Sequence, residues 1–271
     1  MKWRLVSLHG RIEQAANGMV VGKSMPLIDL SEKLRYMLAM EVKLHTLPKQ
    51  VAAVLARRIA TGDLSEGSVP SEQQISREFG VSRAVTREAV KILASLDMVD
   101  IAQGRRFALR PATEWDYLSP LLLDWLPQAQ IRELLHESHD ARLIFEPAIA
   151  AAAAESLTEE NLQRLRSMLD AMSSHEDDPD GYLALDLDFH MEICRATGNR
   201  ILERFMYSSR WWQSASRRIS NQAPHALPSA TQQHRAIYEA LAARDKMRAE
   251  VAMRHHLMSN VVIRILEEET G

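Results

Sequence analysis

The chain has 271 residues, room for two ordinary domains rather than one. With 46% hydrophobic and 25% charged residues it is not a disordered or fibrous sequence, and no apolar run approaches the roughly 18 residues that a membrane-spanning helix needs. The single cysteine, Cys194, excludes an intramolecular disulfide and reads as cytoplasmic, and no apolar segment follows Lys2 and Arg4 to make a signal peptide. A net charge of −3 argues against nucleic acid only until it is mapped: residues 1–47 and 48–112 carry +3 each, and 113–271 carry −9. A mildly basic front on an acidic rear fits a DNA-binding head on a body that does not bind DNA.

Residues 1–45 show no sustained period. They read as a loosely packed extension, or as a start codon assigned upstream of one near Met40. From Pro48, Val51, Val54, Leu55 and Ile59 predict one buried helix face, closed at Gly62. Pro70-Ser71-Glu72 predicts a second helix capped by Ser71, with Ile75 and Phe79 buried and Gly80 as its stop. Ser82 caps a third, running to about Asp97, with Val85, Ala89, Ile92, Leu93 and Leu96 as its stripe. Two short helices around a glycine turn have helix-turn-helix spacing. Met98–Ile101 and Phe107–Leu109, around the turn Gln103-Gly104-Arg105-Arg106, predict a two-stranded wing. The wing closes a winged helix-turn-helix over 46–112.

A linker helix is expected over 113–128, its helical part near 116–126. Further helices are expected near 130–155, 158–175, 180–196, 199–219, 229–243 and 246–269, broken at Pro127, Thr158, Asp177-Asp178-Pro179, Gly198, Pro224–Pro228 and Arg244-Asp245. The chain therefore reads as mainly α: three helices and a small wing, then an all-α bundle of six or seven helices over 129–271. The run Ala148–Ala154 reads as close helix packing.

The first turns of the third helix, Ser82-Arg83-Ala84-Val85-Thr86-Arg87, are where base-reading side chains belong. Arg83 and Arg87 are four apart and share a face; a guanidinium can take guanine O6 and N7 together. Ser82 and Ser71, at helix starts, offer hydroxyls and free N–H groups to phosphates. Gly62-Asp63-Leu64, Val69-Pro70-Ser71-Glu72, Phe79-Gly80-Val81-Ser82-Arg83 and Arg87-Glu88-Ala89 resemble the N-terminal domain of the GntR superfamily. The resemblance implies that Arg83 and Arg87 contact bases. Two positions depart from the family: Gln73 stands where a basic residue is common, and Arg105 where the wing usually has glycine. Arg105 and Arg106 could still reach the minor groove or a phosphate.

In the rear half Asp186 and His190 are four apart on one helix, His234 opens another apolar-patterned segment, and His256 lies in the last helix. One carboxylate and three imidazoles suit zinc, or another borderline divalent ion such as nickel. His255 is the alternative to His256, about 100° around the helix. Arg142 with Glu146, Asp186–His190, Gly198-Asn199, His234–Ile237 and His256-Leu257 resemble the FadR-type C-terminal (FCD) domain of GntR regulators. That resemblance implies a metal held by Asp186, His190, His234 and His256, an effector carboxylate completing its coordination, Arg142 pairing with that carboxylate, and Asn199 near the pocket. Glu114–Leu118 with Leu123-Asp124-Trp125 is similar to the linker of sugar-acid-responsive members, galactonate regulators among them.

The sequence thus predicts a homodimeric regulator that binds a near-palindromic operator and is released by a small carboxylate, a sugar acid above all. The alternative is a metal-dependent enzyme on the Asp/His₃ site, with Asp188 or Glu192 as general base; it leaves the helix-turn-helix unexplained. A non-specific DNA-binding scaffold would have no need of a ligand pocket.

Overall fold

A computed structural model describes residues 46–66, 69–101, 107–221 and 225–259, all within one compact unit. The first helix, α1 (Leu47–Ala60), takes Pro48 in its first turn, where no helical N–H bond is lost. Its buried face is Val51, Ala52, Leu55, Ala56 and Ile59. Val54, expected on that face, is 42% exposed, because it sits one step of about 100° from Leu55.

Helix α2 (Glu72–Phe79) begins with a reciprocal cap: the Ser71 hydroxyl accepts from the Gln74 N–H, and the Gln74 side-chain oxygen accepts from the Ser71 N–H at 2.8 Å. Gly80 ends it at φ +63°. No atom would obstruct a Cβ there, so the left-handed backbone alone selects glycine. Helix α3 (Arg83–Ser95) starts at Ser82, whose hydroxyl accepts from the Val85 N–H. Its buried face is Thr86, Ala89, Val90 and Leu93. Thr86 and Ser76 share a hydroxyl–hydroxyl bond of 2.9 Å that ties α3 to α2. Phe79 is half-buried under the Arg58 guanidinium, 5.7 Å from its ring. The strands β1 (Val99–Ile101) and β2 (Phe107–Leu109) pair antiparallel, Val99 opposite Leu109 and Ile101 opposite Phe107.

The linker departs from expectation. A short 3₁₀ turn (Ala112–Glu114) precedes an extended Trp115, and α4 spans only Pro120–Trp125. Ser119, before a proline, is kept from the helical region, and the Asp116 N–H bonds to the Leu96 carbonyl instead of a helical acceptor. Trp115 and Trp125 are buried. The Trp115 indole donates to the Arg110 carbonyl and Arg57 to the Trp125 carbonyl, which fastens the linker to the winged domain, and Gln130, just beyond the linker, donates to the Ala60 carbonyl.

The bundle comprises α5 (Gln128–Ser156), α6 (Glu159–Ser173), α7 (Pro179–Ala196), α8 (Arg200–Ser220), α9 (Ala226–Ala242) and α10 (Lys246–Met258). Side chains of Thr158, Asp178, Asn199 and Asp245 cap α6, α7, α8 and α10. Helix α9 starts before Pro228, not after it, since a proline in the first turn costs no hydrogen bond. The last helix is described to Met258; the expected extension to 269 lies outside the described residues. In the alanine run, Ala150, Ala153 and Ala154 have no exposure and join a core with Leu165, Leu169, Phe189, Ile237 and Leu257.

Helix α5 continues through Pro147. Proline has no N–H, so the Leu143 carbonyl four residues earlier loses its helical donor. Arg254 of α10 supplies one at 3.1 Å. The longest helix is thereby latched to the one that carries His256.

Candidate DNA-reading helix and effector cavity

Arg83 and Arg87 both stand exposed at the start of α3. Arg87 lies 3.5 Å from the Glu72 carboxylate across the turn, with 63% of its side chain still accessible. An exposed ion pair of this kind is weak and leaves the guanidinium available. Ser71 and Ser82 are committed as caps, which orients the free N–H groups of two helix starts outward. Arg105 and Arg106 lie outside the described residues.

In the bundle, one ligand atom each from Asp186, His190, His234 and His256 lies within 4.8 Å of the others, the one such cluster among the described residues. Two come from α7, one from α9 and one from α10. His234 Nε2 is 2.9 Å and His190 Nε2 3.8 Å from Asp186 Oδ1, and the two Nε2 atoms are 3.3 Å apart. The other ring nitrogens are all engaged. His190 Nδ1 meets Glu146 at 2.6 Å, His234 Nδ1 meets the Tyr182 hydroxyl at 3.3 Å, and His256 Nδ1 meets Gln233 Oε1 at 3.0 Å. A carboxylate can only accept, so His190 carries its proton on Nδ1 and in its neutral form turns an Nε2 lone pair toward Asp186. Burial, reinforced by neighbouring histidines and guanidiniums, drives His234 and His256 well below the ordinary histidine range. Ring nitrogens gathered about one carboxylate oxygen are a donor set that suits a cation, and second ring nitrogens held by carboxylate, phenol and amide are how metal-binding histidines are aimed.

Behind this cluster sits a buried charge network. Arg142 donates to Glu146 at 2.6 Å, and Arg217 is ion-paired with Asp186. Burial would raise the Glu146 pKa, but Arg142 and His190 outweigh it and hold the carboxyl well below the usual range. Burial pushes Tyr182 up to about 12, so its hydroxyl keeps its proton. Beside this network lies a cavity of about 400 Å³ whose wall includes Arg142, Asp186, Arg217, His256, Ser220 and Asn221.

Arg142 and the four Asp/His residues named from the sequence therefore come together. Asn199 does not: it is exposed, its amide oxygen accepts from the N–H groups of Ile201 and Leu202, and it is absent from the cavity wall. The glycine-asparagine pair marks a helix start. Sequence reasoning missed Arg217, Tyr182, Gln233 and Asn221. Gln233 adjoins His234, and Arg217 lies in a run of two arginines that reads as solvated surface, so neither had a local signature. The two bases nominated for an enzyme also fail. Asp188 is exposed and paired with Arg210, and Glu192 is locked by Asn161 and Arg164 at 2.9 and 2.7 Å; neither reaches the cavity. Trp211 and Trp212 lie outside the cavity as well, and the Trp212 indole donates to the Tyr117 carbonyl of the linker.

A basic reading helix joined to a helical ligand chamber is the layout of a one-component transcriptional regulator. Residues 47–109 match the gntR family of bacterial regulatory proteins and 137–259 match the FCD domain. The chain is 30% identical over 223 residues to the transcriptional repressor NanR of Klebsiella aerogenes, covering 79% of this chain and 83% of that one. It is 26% identical over 206 residues to the galactonate operon transcriptional repressor of Escherichia coli K12, covering 75% and 90%. The solved structure of Lar, described as controlling expression of the Listeria monocytogenes agr system, has the same fold, with a TM-score of 0.54 at 20% identity over 82% of this chain and 99% of that one. The chain belongs to the GntR family, in its FCD-containing, FadR-type branch, and is a DNA-binding transcriptional regulator, not an enzyme.

Proposed function

We propose that the protein is a cytoplasmic homodimeric repressor that leaves its operator when a small carboxylate, a sugar acid, enters the bundle cavity. The observation that carries this reading is the convergence of Asp186, His190, His234 and His256 beside a cavity whose wall takes in Asp186, His256 and two buried guanidiniums. The donor set fits zinc, with nickel as the alternative, and a bound divalent ion would offer an effector carboxylate a Lewis-acidic partner. Arg142 is the second anchor, as a guanidinium fork suits a carboxylate. Both relatives are named as repressors, and one of them is named for an operon of galactonate, a sugar acid.

Arg83 and Arg87 read base edges, with Ser71, Ser82, Arg105 and Arg106 positioning the winged domain on the backbone. Two recognition helices of a dimer must sit about one DNA turn, roughly 34 Å, apart. Effector binding releases DNA only if it favours a different arrangement of the two heads, and the linker from Trp115 to Trp125 is where that difference is expressed. The test is a gel shift on DNA upstream of the protein's own gene, with a panel of sugar acids, paired with metal analysis of protein purified without chelator or histidine tag. About one divalent ion per chain and release by a sugar acid are expected. Absence of metal overturns the four-ligand assignment, and complexes that survive every acid overturn release.

A further inference from the structure

The cavity contains more than an anchor for one carboxylate. Three nitrogen donors on its wall are shielded from solvent and have no acceptor: Arg142 Nη1, Arg217 Nη2 and Asn221 Nδ2. Arg142 and Arg217 are 2% and 4% exposed. Arg142 is held through Nε on Glu146, and Arg217 through Nε on Asp186 and Nη1 on Gln213 at 3.3 Å, so neither side chain is loosely placed. A buried donor without an acceptor is costly, and a native protein leaves one where something else fills it. All three groups are donors, so what fills them presents acceptor oxygens. Arg142 accounts for one carboxylate. Arg217 and Asn221, at opposite ends of α8's last turn, add a second donor pair that an unsubstituted acid would leave unmet.

We propose that Arg217 and Asn221 are specificity residues that require oxygen along the effector's carbon chain, so that the ligand is a polyhydroxy acid and a plain fatty acid of the same length is rejected. This rests on the cavity being the effector site. It assigns to Arg217 a double role: one edge of the guanidinium holds Asp186 in place, and the free Nη2 reads the ligand. A site built to hydrogen-bond hydroxyls rejects an analogue lacking them far more strongly than an apolar pocket rejects an extra methylene, because its own polar groups stay unpaired.

The experiment is calorimetry on the full-length, zinc-loaded protein with hexonate stereoisomers (gluconate, galactonate, mannonate) and with hexanoate. Wild type is expected to bind at least one hexonate and to bind hexanoate at least tenfold more weakly. Arg217→Lys keeps a cation beside Asp186 but removes Nη2, and Asn221→Ala touches none of the four metal-cluster residues. Each is expected to weaken hexonate binding about tenfold, as loss of a charged or buried hydrogen bond does, with hexanoate binding and zinc content unchanged. Equal binding of hexanoate and the best hexonate by wild type overturns the proposal, as does a preference that survives both substitutions. Hexonate binding that persists undiminished in both Arg142→Ala and His256→Ala, two residues of the cavity wall, moves the effector out of this cavity and overturns the underlying reading instead.

Discussion

The two functional regions of this regulator solve opposite problems. At the start of α3 the working side chains are exposed and almost unattached: Arg83 and Arg87 stand in solvent on a helix held from beneath by Thr86, Ala89, Val90 and Leu93. In the bundle the working side chains are themselves the interior. Asp186, His190, His234 and Arg142 are buried, and each is gripped by another charged or polar group. On the function proposed above, the difference teaches that recognition of a large, charged duplex can be laid on a finished fold, whereas recognition of a small anion has to be built into the core. Function and stability are separable in the first region and entangled in the second.

That contrast is open to direct attack. The largest effect is expected at Asp186→Ala, which strands the buried Arg217 guanidinium and removes the carboxylate that His234 meets at 2.9 Å. Loss of one member of a buried pair costs about 3–5 kcal/mol, read as a lowered denaturation midpoint in urea. An unchanged midpoint would show the network to be decoration. Next come Arg83→Ala and Arg87→Ala. Each is expected to lose about 1–3 kcal/mol of operator affinity in a gel shift, with the thermal midpoint of wild type. A fall in thermal stability as large as the fall in affinity would erase the distinction between the regions. The smallest effect sits on the boundary between them. Ser82→Ala removes a cap and should cost about 1 kcal/mol of stability as well as some DNA affinity, so it should move both measurements slightly.

The same contrast explains what could be read in advance. The winged domain is local: Ser71, Gly80, Ser82 and the apolar residues between them fix three helices within 50 residues of chain, and the arginines follow from their place on α3. Val54 was misplaced because an apolar residue at the margin of a stripe can face either way. The bundle's helices were legible from caps and breakers, apart from the starts of α4 and α9, where a proline was read as part of a helix in one case and as a barrier in the other. The cavity was legible only in part. The metal-type residues are chemically conspicuous and match a family pattern, but Arg217 reaches Asp186 from a helix whose sequence reads as surface, and Asn221 looks like any helix terminus. Asn199 shows the converse error, a residue noticed for its neighbours whose task is to cap a helix. Pairings between residues 31 to 44 positions apart, as in Asp186–Arg217 and Glu146–His190, are consequences of helix packing and leave no trace in a local window.

The proline within α5 has a reach beyond its own helix. By leaving the Leu143 carbonyl open it gives Arg254 a fixed docking point, and a docked arginine limits how far α10 can turn about its axis. Rotation is what separates adjacent residues on a helix, and α10 carries two adjacent histidines. In the observed setting His256 meets Gln233 at the cavity wall while His255 faces solvent. A missing hydrogen on one helix thus helps decide, more than a hundred residues later in the chain, which of two chemically identical rings lines the cavity.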